Sequence, residues 1–181
     1  MDILSLQTQL MEASDAGKMP PVDKWDPPFC GNMPLVIKRN GQWWHSNTPF
    51  TRAKLVQLFA SVLKKENDAY FLVTPVEKIG IDVEDVPFVI VDDNKTDKGI
   101  EVTTQVGERF VLDQNHKVEL RFFTEDKVPY VHVRHDLWAR VHQNVLYRWL
   151  DMATEHQEGA MTRLYINSGE NRIFIGEYTK D

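Results

Sequence analysis

Apolar residues recur along this chain with two different periods, and the switches between them mark out its elements. Ile3, Leu6 and Leu10, with Leu4 and Met11 beside them, have helical spacing. That stripe predicts a short helix ending near Gly17, before Pro20-Pro21. So short a helix is unstable alone and must dock on the body or on a partner. Residues 18–34 carry five prolines, but Trp25 and Phe29 need a packing surface, so the segment reads as an ordered arm. LVIKRNGQWWHS then reads as a hairpin around Asn40-Gly41, two residues that tolerate positive φ. A two-residue turn there sets Ile37 against Trp44, Lys38 against Trp43 and Val36 against His45. The two tryptophans then lie on opposite faces. One fills the core, and the other covers a second surface or stands partly exposed beside Lys38.

Thr51 suits the N-cap of a helix whose stripe is Leu55, Leu58, Phe59, Val62 and Leu63. Arg52, Lys54, Lys64 and Lys65 fall outside the stripe, with Lys64 and Lys65 on a solvated face. From Tyr70 the period changes to two. Tyr70 to Thr74 reads as a strand covered on both faces, Pro75 turns the chain, and Ile79, Ile81 and Val83 form the buried side of a second strand. If that strand is regular from Val76, Glu77 shares the inward parity of the isoleucines. An inward carboxylate must be paired, hydrogen-bonded or protonated. Two readings of Glu77 stay open: it lines a site with Thr74, or it is a structural cap at the strand end.

Val86 to Val91 is an apolar run typical of a strand buried on both sides. Asp92 to Gly99 is a polar turn cluster and the best candidate for a domain boundary or a long hairpin loop. Beyond it Ile100 to Val106, Arg109 to Leu112, Val118 to Phe123 and Val128 to Arg134 read as consecutive strands of a meander. On the last of them Tyr130, His132 and Arg134 share one face. Asp136 is placed to cap a second helix with the stripe Trp138, Val141, Val145, Leu146, Trp149 and Met152. Arg140, Asn144 and Arg148 form a second stripe near Asp151, explained by local ion pairing. RLYIN, a Ser-Gly turn and NRIFIGEY make a closing hairpin.

The two halves echo each other. At an offset of 94 positions Tyr70 meets Leu164, Lys78 meets Arg172, Ile79 meets Ile173 and Ile81 meets Ile175. The shared order is strand, helix, strand, strand. The fold expected is therefore α+β with two duplicated domains: an N-terminal helix over residues 1–17, a first domain over 18–91 and a second over 92–181.

Composition narrows the function. With 21 basic and 27 acidic residues the net charge is −6, which argues against a nucleic-acid polymer as partner. One cysteine, Cys30, allows no internal disulfide and fits a reducing compartment. No apolar run is long enough to span a bilayer and no basic leader precedes an apolar core, so the expected location is cytoplasmic. His132, His135 and His142 match no metal-ligand spacing, and GxSxG, GxGxxG and GxxxxGK[ST] are absent. No metal and no cofactor is expected.

WDPPFCG, NGQWW, RAKLVQLFASVL and YFLVTPVEKIGIDVEDVPF together resemble a bacterial family called domain of unknown function 1285. The resemblance runs from about Trp25 to the last hairpin, and LVTPVEK is its most specific block. It implies a duplicated two-domain fold whose second domain, a β-meander with a helix, has pleckstrin-homology-like character. It also implies a site at the domain interface for a nucleotide-like ligand and a role in signal transduction. The matching block positions are Trp43, Arg52, Thr74, Glu77 and Lys78; the strand faces add Arg134. On this reading the protein is a non-enzymatic ligand-binding or regulatory protein. Lys78, Arg52 and Arg134 meet anionic groups, Trp43 stacks, and Thr74 and Glu77 hydrogen-bond sugar or base edges. Two rivals stay open: a protein-interaction adaptor with no small ligand, and a small enzyme using Glu77 as general base.

Overall fold

The computed structural model describes residues 2–13 and 18–180. The helix end expected near Gly17 lies outside the described residues. The chain forms two compact units that divide between Pro87 and Phe88. Phe88 to Val91, placed in the first domain by their apolar run, begin the leading strand of the second.

In the first unit, α1 (Ile3–Ala13) buries Leu6 and Leu10. A short 3₁₀ turn, Val22–Lys24, follows. The arm ends as β1 (Phe29–Ile37), and β2 (Trp43–His45) and β3 (Thr48–Pro49) follow it. Then come α2 (Ala53–Ser61), β4 (Leu63–Glu66), β5 (Ala69–Val73) and β6 (Lys78–Val83). The six strands form one sheet in the order β3-β2-β1-β6-β5-β4. Its central pair, β1 and β6, is parallel and has two register irregularities around Asn32.

Three expectations are corrected here. The β1–β2 hairpin pairs Ile37 with Trp43 and Val36 with Trp44, one residue from the register of a two-residue turn. The Lys38 N–H donates to Gln42 O at 2.8 Å, so Arg39, Asn40 and Gly41 form a three-residue loop, closed by Gly41 at φ 84°. A slip of one flips each side chain to the other face. Trp43 therefore joins Leu35 and Ile37 in the core, and Lys38 lies over Trp44, 5.7 Å from its ring. Second, Arg52 rather than Thr51 is the N-cap of α2, without a side-chain cap bond. Third, α2 stops at Ser61, and Leu63 to Glu66 pair with β5 instead of extending the helix. Lys64 and Lys65 are thus strand residues.

The second unit begins with the hairpin β7 (Phe88–Thr96) and β8 (Gly99–Thr104), so the polar stretch from Asp92 is mostly strand. β9 (Arg109–Val111), β10 (Val118–Phe123), β11 (Asp126–Arg134) and β12 (Leu137–Val141) complete a meander. Sheet order is β10-β11-β12-β7-β8-β9, again with one central parallel pair, β12 and β7. Residues 137–141, expected as the start of a helix capped by Asp136, are strand. The helix α3 (Gln143–Asp151) starts later, capped by His142, whose Nδ1 accepts the Asn144 N–H at 3.2 Å. Arg140 therefore shares no helix stripe with Arg148. Arg148 instead bonds Asp92 and Asp93 on β7, and Asp93 also accepts from Trp149 Nε1.

β13 (Thr154–Glu158), β14 (Met161–Ser168) and β15 (Asn171–Thr179) form an antiparallel sheet whose last strand runs beside β10 and β11. The order strand, helix, three strands occurs in both units, with β4 and β13 as the members not foreseen. The duplication is metrical as well. β5–β6 pairs Leu72 with Ile79 and Phe71 with Gly80; β14–β15 pairs Ile166 with Ile173 and Tyr165 with Phe174, each shifted by the same 94 positions. The architecture is α+β with two duplicated units, and the second joins a meander to a helix. Among the described residues no helix is long and apolar enough to cross a membrane.

Candidate functional site

Strand alternation sorts the β5–β6 hairpin into two faces. Leu72, Ile79 and Ile81 turn inward and are buried. Phe71, Lys78 and Gly80 turn outward, and Lys64 joins them because it pairs with Phe71 across β4–β5. On this outer face Lys78 Nζ lies 2.8 Å from Glu66 Oε2, and Lys64 Nζ lies 3.2 Å from Glu66 Oε1. Two lysines share one carboxylate, leaving the cluster with net charge +1. Lys78, Lys64 and Glu66 are 17%, 21% and 32% exposed, so the charge is screened less than on an open surface. The hydrogen bond from Lys78, then that from Lys64, holds the Glu66 carboxyl below the usual carboxylate range. Lys78 Nζ also stands 5.1 Å from the centre of the Phe71 ring.

Phe71 has a second aromatic neighbour. Phe29 of β1 meets it edge-on, 6.1 Å between centroids and 83° between planes. Beside this pair is a groove of about 450 Å³ that Asn32, Asp68, Gly80 and Asp82 also line. Gly80 lies at its floor, where a Cβ would displace the Asn32 side-chain amide.

The residues singled out from the sequence fall in five places. Thr74 and Glu77 meet in the tight turn joining β5 to β6. The Thr74 N–H donates to Glu77 O at 2.9 Å, and Thr74 Oγ1 accepts the Glu77 N–H at 3.0 Å. Gln9 of α1 closes the group: its Nε2 donates to Glu77 Oε2 at 2.9 Å, and its Oε1 accepts from Thr74 Oγ1 at 3.1 Å. The inward carboxylate thus meets a side-chain amide from the docked helix. Lys78 is adjacent in sequence but serves the Glu66 cluster. Trp43 is 2% exposed and lies 6.5 Å from Phe59, so its ring faces are covered by protein. Arg52 is exposed at the start of α2, beside a small cavity of about 230 Å³ lined in part by Ile3, Leu4, Gln7 and Phe50. Arg134 belongs to the second unit, where Nε donates to Glu108 at 3.2 Å and the guanidinium covers Phe88 at 5.4 Å.

Sequence reasoning missed Lys64, Glu66, Phe29 and Phe71 as a group. The signal that hid them was the helical period through Leu63, which put Lys64 on a solvated helix face. Among the described residues no group of three or more His, Cys, Asp or Glu side chains could hold a metal ion.

The Gln9 contact makes a prediction. Gln9→Ala leaves the partly buried Glu77 carboxylate without its amide donor and should cost about 1–3 kcal/mol, measured by urea unfolding. Loss of less than about 0.3 kcal/mol would mean that apolar packing of Leu6 and Leu10 alone docks α1.

Residues 20–86 match the family model described as the N-terminal domain of a domain of unknown function, DUF1285. Residues 87–174 match the model of the DUF1285 C-terminal domain. A solved DUF1285 family protein from Silicibacter pomeroyi DSS-3 has 34% identity and a TM-score of 0.78, covering 96% of this chain and 94% of its own. Another from Shewanella baltica OS155 has 29% identity and a TM-score of 0.55, covering 66% of this chain and 91% of its own. No curated protein matches the chain.

Proposed function

This chain belongs to the DUF1285 family, and on that premise we propose that it is a non-enzymatic, ligand-binding regulatory protein whose ligand is nucleotide-like and anionic. The observation that carries the proposal is the cluster in which Lys64 and Lys78 share Glu66 over the Phe71 ring. One carboxylate does not neutralise two ammonium groups, and the surplus charge is partly desolvated. A phosphate oxygen is a natural third partner for such a pair. Thr74, Glu77 and Trp43 are occupied in turn formation, helix docking and core packing, which moves the proposal from those residues to Lys78 and Lys64. A role in signal transduction goes with this reading, since a regulatory protein must change state on binding.

Thermal shift of the whole chain against mono-, di- and cyclic dinucleotides tests the proposal. A ligand at about a hundred times Kd adds about 2.7 kcal/mol. Lys78→Ala should cut that shift to about half, since losing a charge-assisted bond corresponds to about tenfold in affinity. Glu66→Gln should strengthen binding, because it frees both lysines. No shift with any nucleotide, or an unchanged shift in Lys78→Ala, would sink the proposal. The same variant has a pH signature. The folded Glu66 carboxyl is held low, so its ion-pair stabilisation is present above the ordinary carboxylate pKa and disappears as pH falls through the lowered value. In Lys78→Ala its titration, followed by carboxyl ¹³C NMR, should move up towards the ordinary range.

A protein-interaction adaptor is the second reading. It is favoured by α1, where Leu4 and Met11, seven positions apart on one side, are 67% and 62% exposed.

A further inference from the structure

The duplicated hairpin allows the first unit to be compared with a second version of itself. The 94-position offset sets Phe71 against Tyr165, Gly80 against Phe174 and Ala69 against Arg163. In β14–β15 the outward face is filled from within the chain. Phe174 packs 5.7 Å from Tyr165, and the Arg163 guanidinium lies 6.0 Å from the centre of the Phe174 ring. Glu158 at 2.9 Å and Glu177 at 3.7 Å hold that guanidinium. In β5–β6 the two corresponding positions carry neither ring nor cation, since they are Gly80 and Ala69. Both residues line the groove beside Phe71. The groove therefore stands where the second hairpin has its own arginine and phenylalanine.

Its chemistry matches an arginine as well. Asp68 and Asp82 line it, both are exposed, and no lysine or arginine is among its lining residues. Phe29 supplies a ring wall and is 56% exposed. The cations on neighbouring strands are already engaged: Lys78 and Lys64 are bound to Glu66, with Lys78 over Phe71, and Lys65 lies over Tyr70. We infer that this groove binds an organic guanidinium cation, the group that Arg163 supplies to the second hairpin. The planar cation stacks on the Phe29 side, and its N–H fork donates to Asp82 and Asp68. A volume of about 450 Å³ admits such a head with its aliphatic stem. An anion would meet two carboxylates there, so this site is separate from the lysine cluster and the two can fail independently.

The test is an amide-detected NMR titration of the full chain with N-acetyl-argininamide and with the neutral, equally shaped N-acetyl-citrullinamide. Saturable shifts confined to residues 29–32, 68–71 and 80–82 are expected with the first compound alone. Asp82→Asn should weaken binding about tenfold, the loss of one charge-assisted bond. Ala69→Arg, at an exposed position, returns to the first hairpin the cation of the second and should abolish binding without disturbing the fold. Agmatine in the same series separates the sources: tighter binding than the peptide-like compound assigns the groove to a free guanidine, and weaker binding to an arginine of a partner. Equal shifts from the citrulline compound, absence of shifts from the guanidines, or full binding in Ala69→Arg would overturn the inference.

Discussion

Trp43→Ala should lower the unfolding free energy by about 3–5 kcal/mol, while Trp44→Ala should cost less than about 1 kcal/mol. The two tryptophans are neighbours of equal size, and only the hairpin register separates them. Trp43 lies opposite Ile37, buried against Phe59, which also packs on Phe50 at 6.0 Å. Its removal leaves a cavity between β1 and α2. Trp44 is half-buried, with Nε1 donating to Gln42 Oε1 at 3.3 Å and Lys38 over its ring. Urea unfolding of both variants decides the matter. If the loop held two residues, the order of the two losses would reverse. Trp43→Phe should cost clearly less than Trp43→Ala, because the smaller ring still fills most of the cavity, while both changes remove a buried Nε1–H that has no hydrogen-bond partner among the described residues.

Ser168→Ala should cost roughly 2–4 kcal/mol, although it removes a single oxygen. Ser168 is fully buried, and its Oγ joins two strands that are not its neighbours in sequence. It donates to Leu112 O at 2.6 Å and accepts the Ile100 N–H at 2.8 Å. Alanine leaves both backbone groups unpaired in the interior, at about 1–3 kcal/mol each. The site has no slack for a shifted backbone or a replacement water. A Cβ on Gly99, at φ 138°, would stand 2.5 Å from Ser168 Oγ and 3.0 Å from the Gly169 nitrogen. Denaturant unfolding gives the magnitude, and amide exchange gives the place: Ile100 should exchange faster while the β5–β6 hairpin of the other unit does not. A loss below about 0.5 kcal/mol would show that the β8 and β14 backbones carry this junction without the hydroxyl.

Local periodicity made part of this molecule legible. The alternation from Lys78 to Val83 needs only neighbours two positions apart, and it placed Ile79 and Ile81 on one buried face. The repeat at 94 positions was readable for the same reason, since a hairpin keeps its register through its own pattern. The errors share a different cause. Asn40-Gly41 serves both two- and three-residue loops, and the choice was made by the room for Trp43 against α2. Val62 and Leu63 continue a helical stripe, but Leu63 to Glu66 gain more as the edge of a sheet, where they pair with β5. Residues 137–141 have the apolar content of a helix start, yet they pair in parallel with β7, about fifty positions away.

The candidate site divides along the same line. Lys78 was legible because it lies in the most distinctive block of the chain, and Thr74 and Glu77 were placed together by their turn. That Glu77 meets Gln9 from α1, and that Lys64 meets Lys78 through Glu66, depends on contacts between elements whose spacing leaves no mark on the sequence. The groove depends on such contacts most of all, since the parallel pairing of β1 with β6 brings Phe29 and Asn32 to Gly80. The sequence by itself determined which segments alternate, which repeat and to which family they belong, because those are properties of neighbouring residues. The tertiary structure alone decided which face each ring and charge occupies, because a strand's partner, and with it the hydrogen bonds and burial that fix its register, comes from elsewhere in the chain.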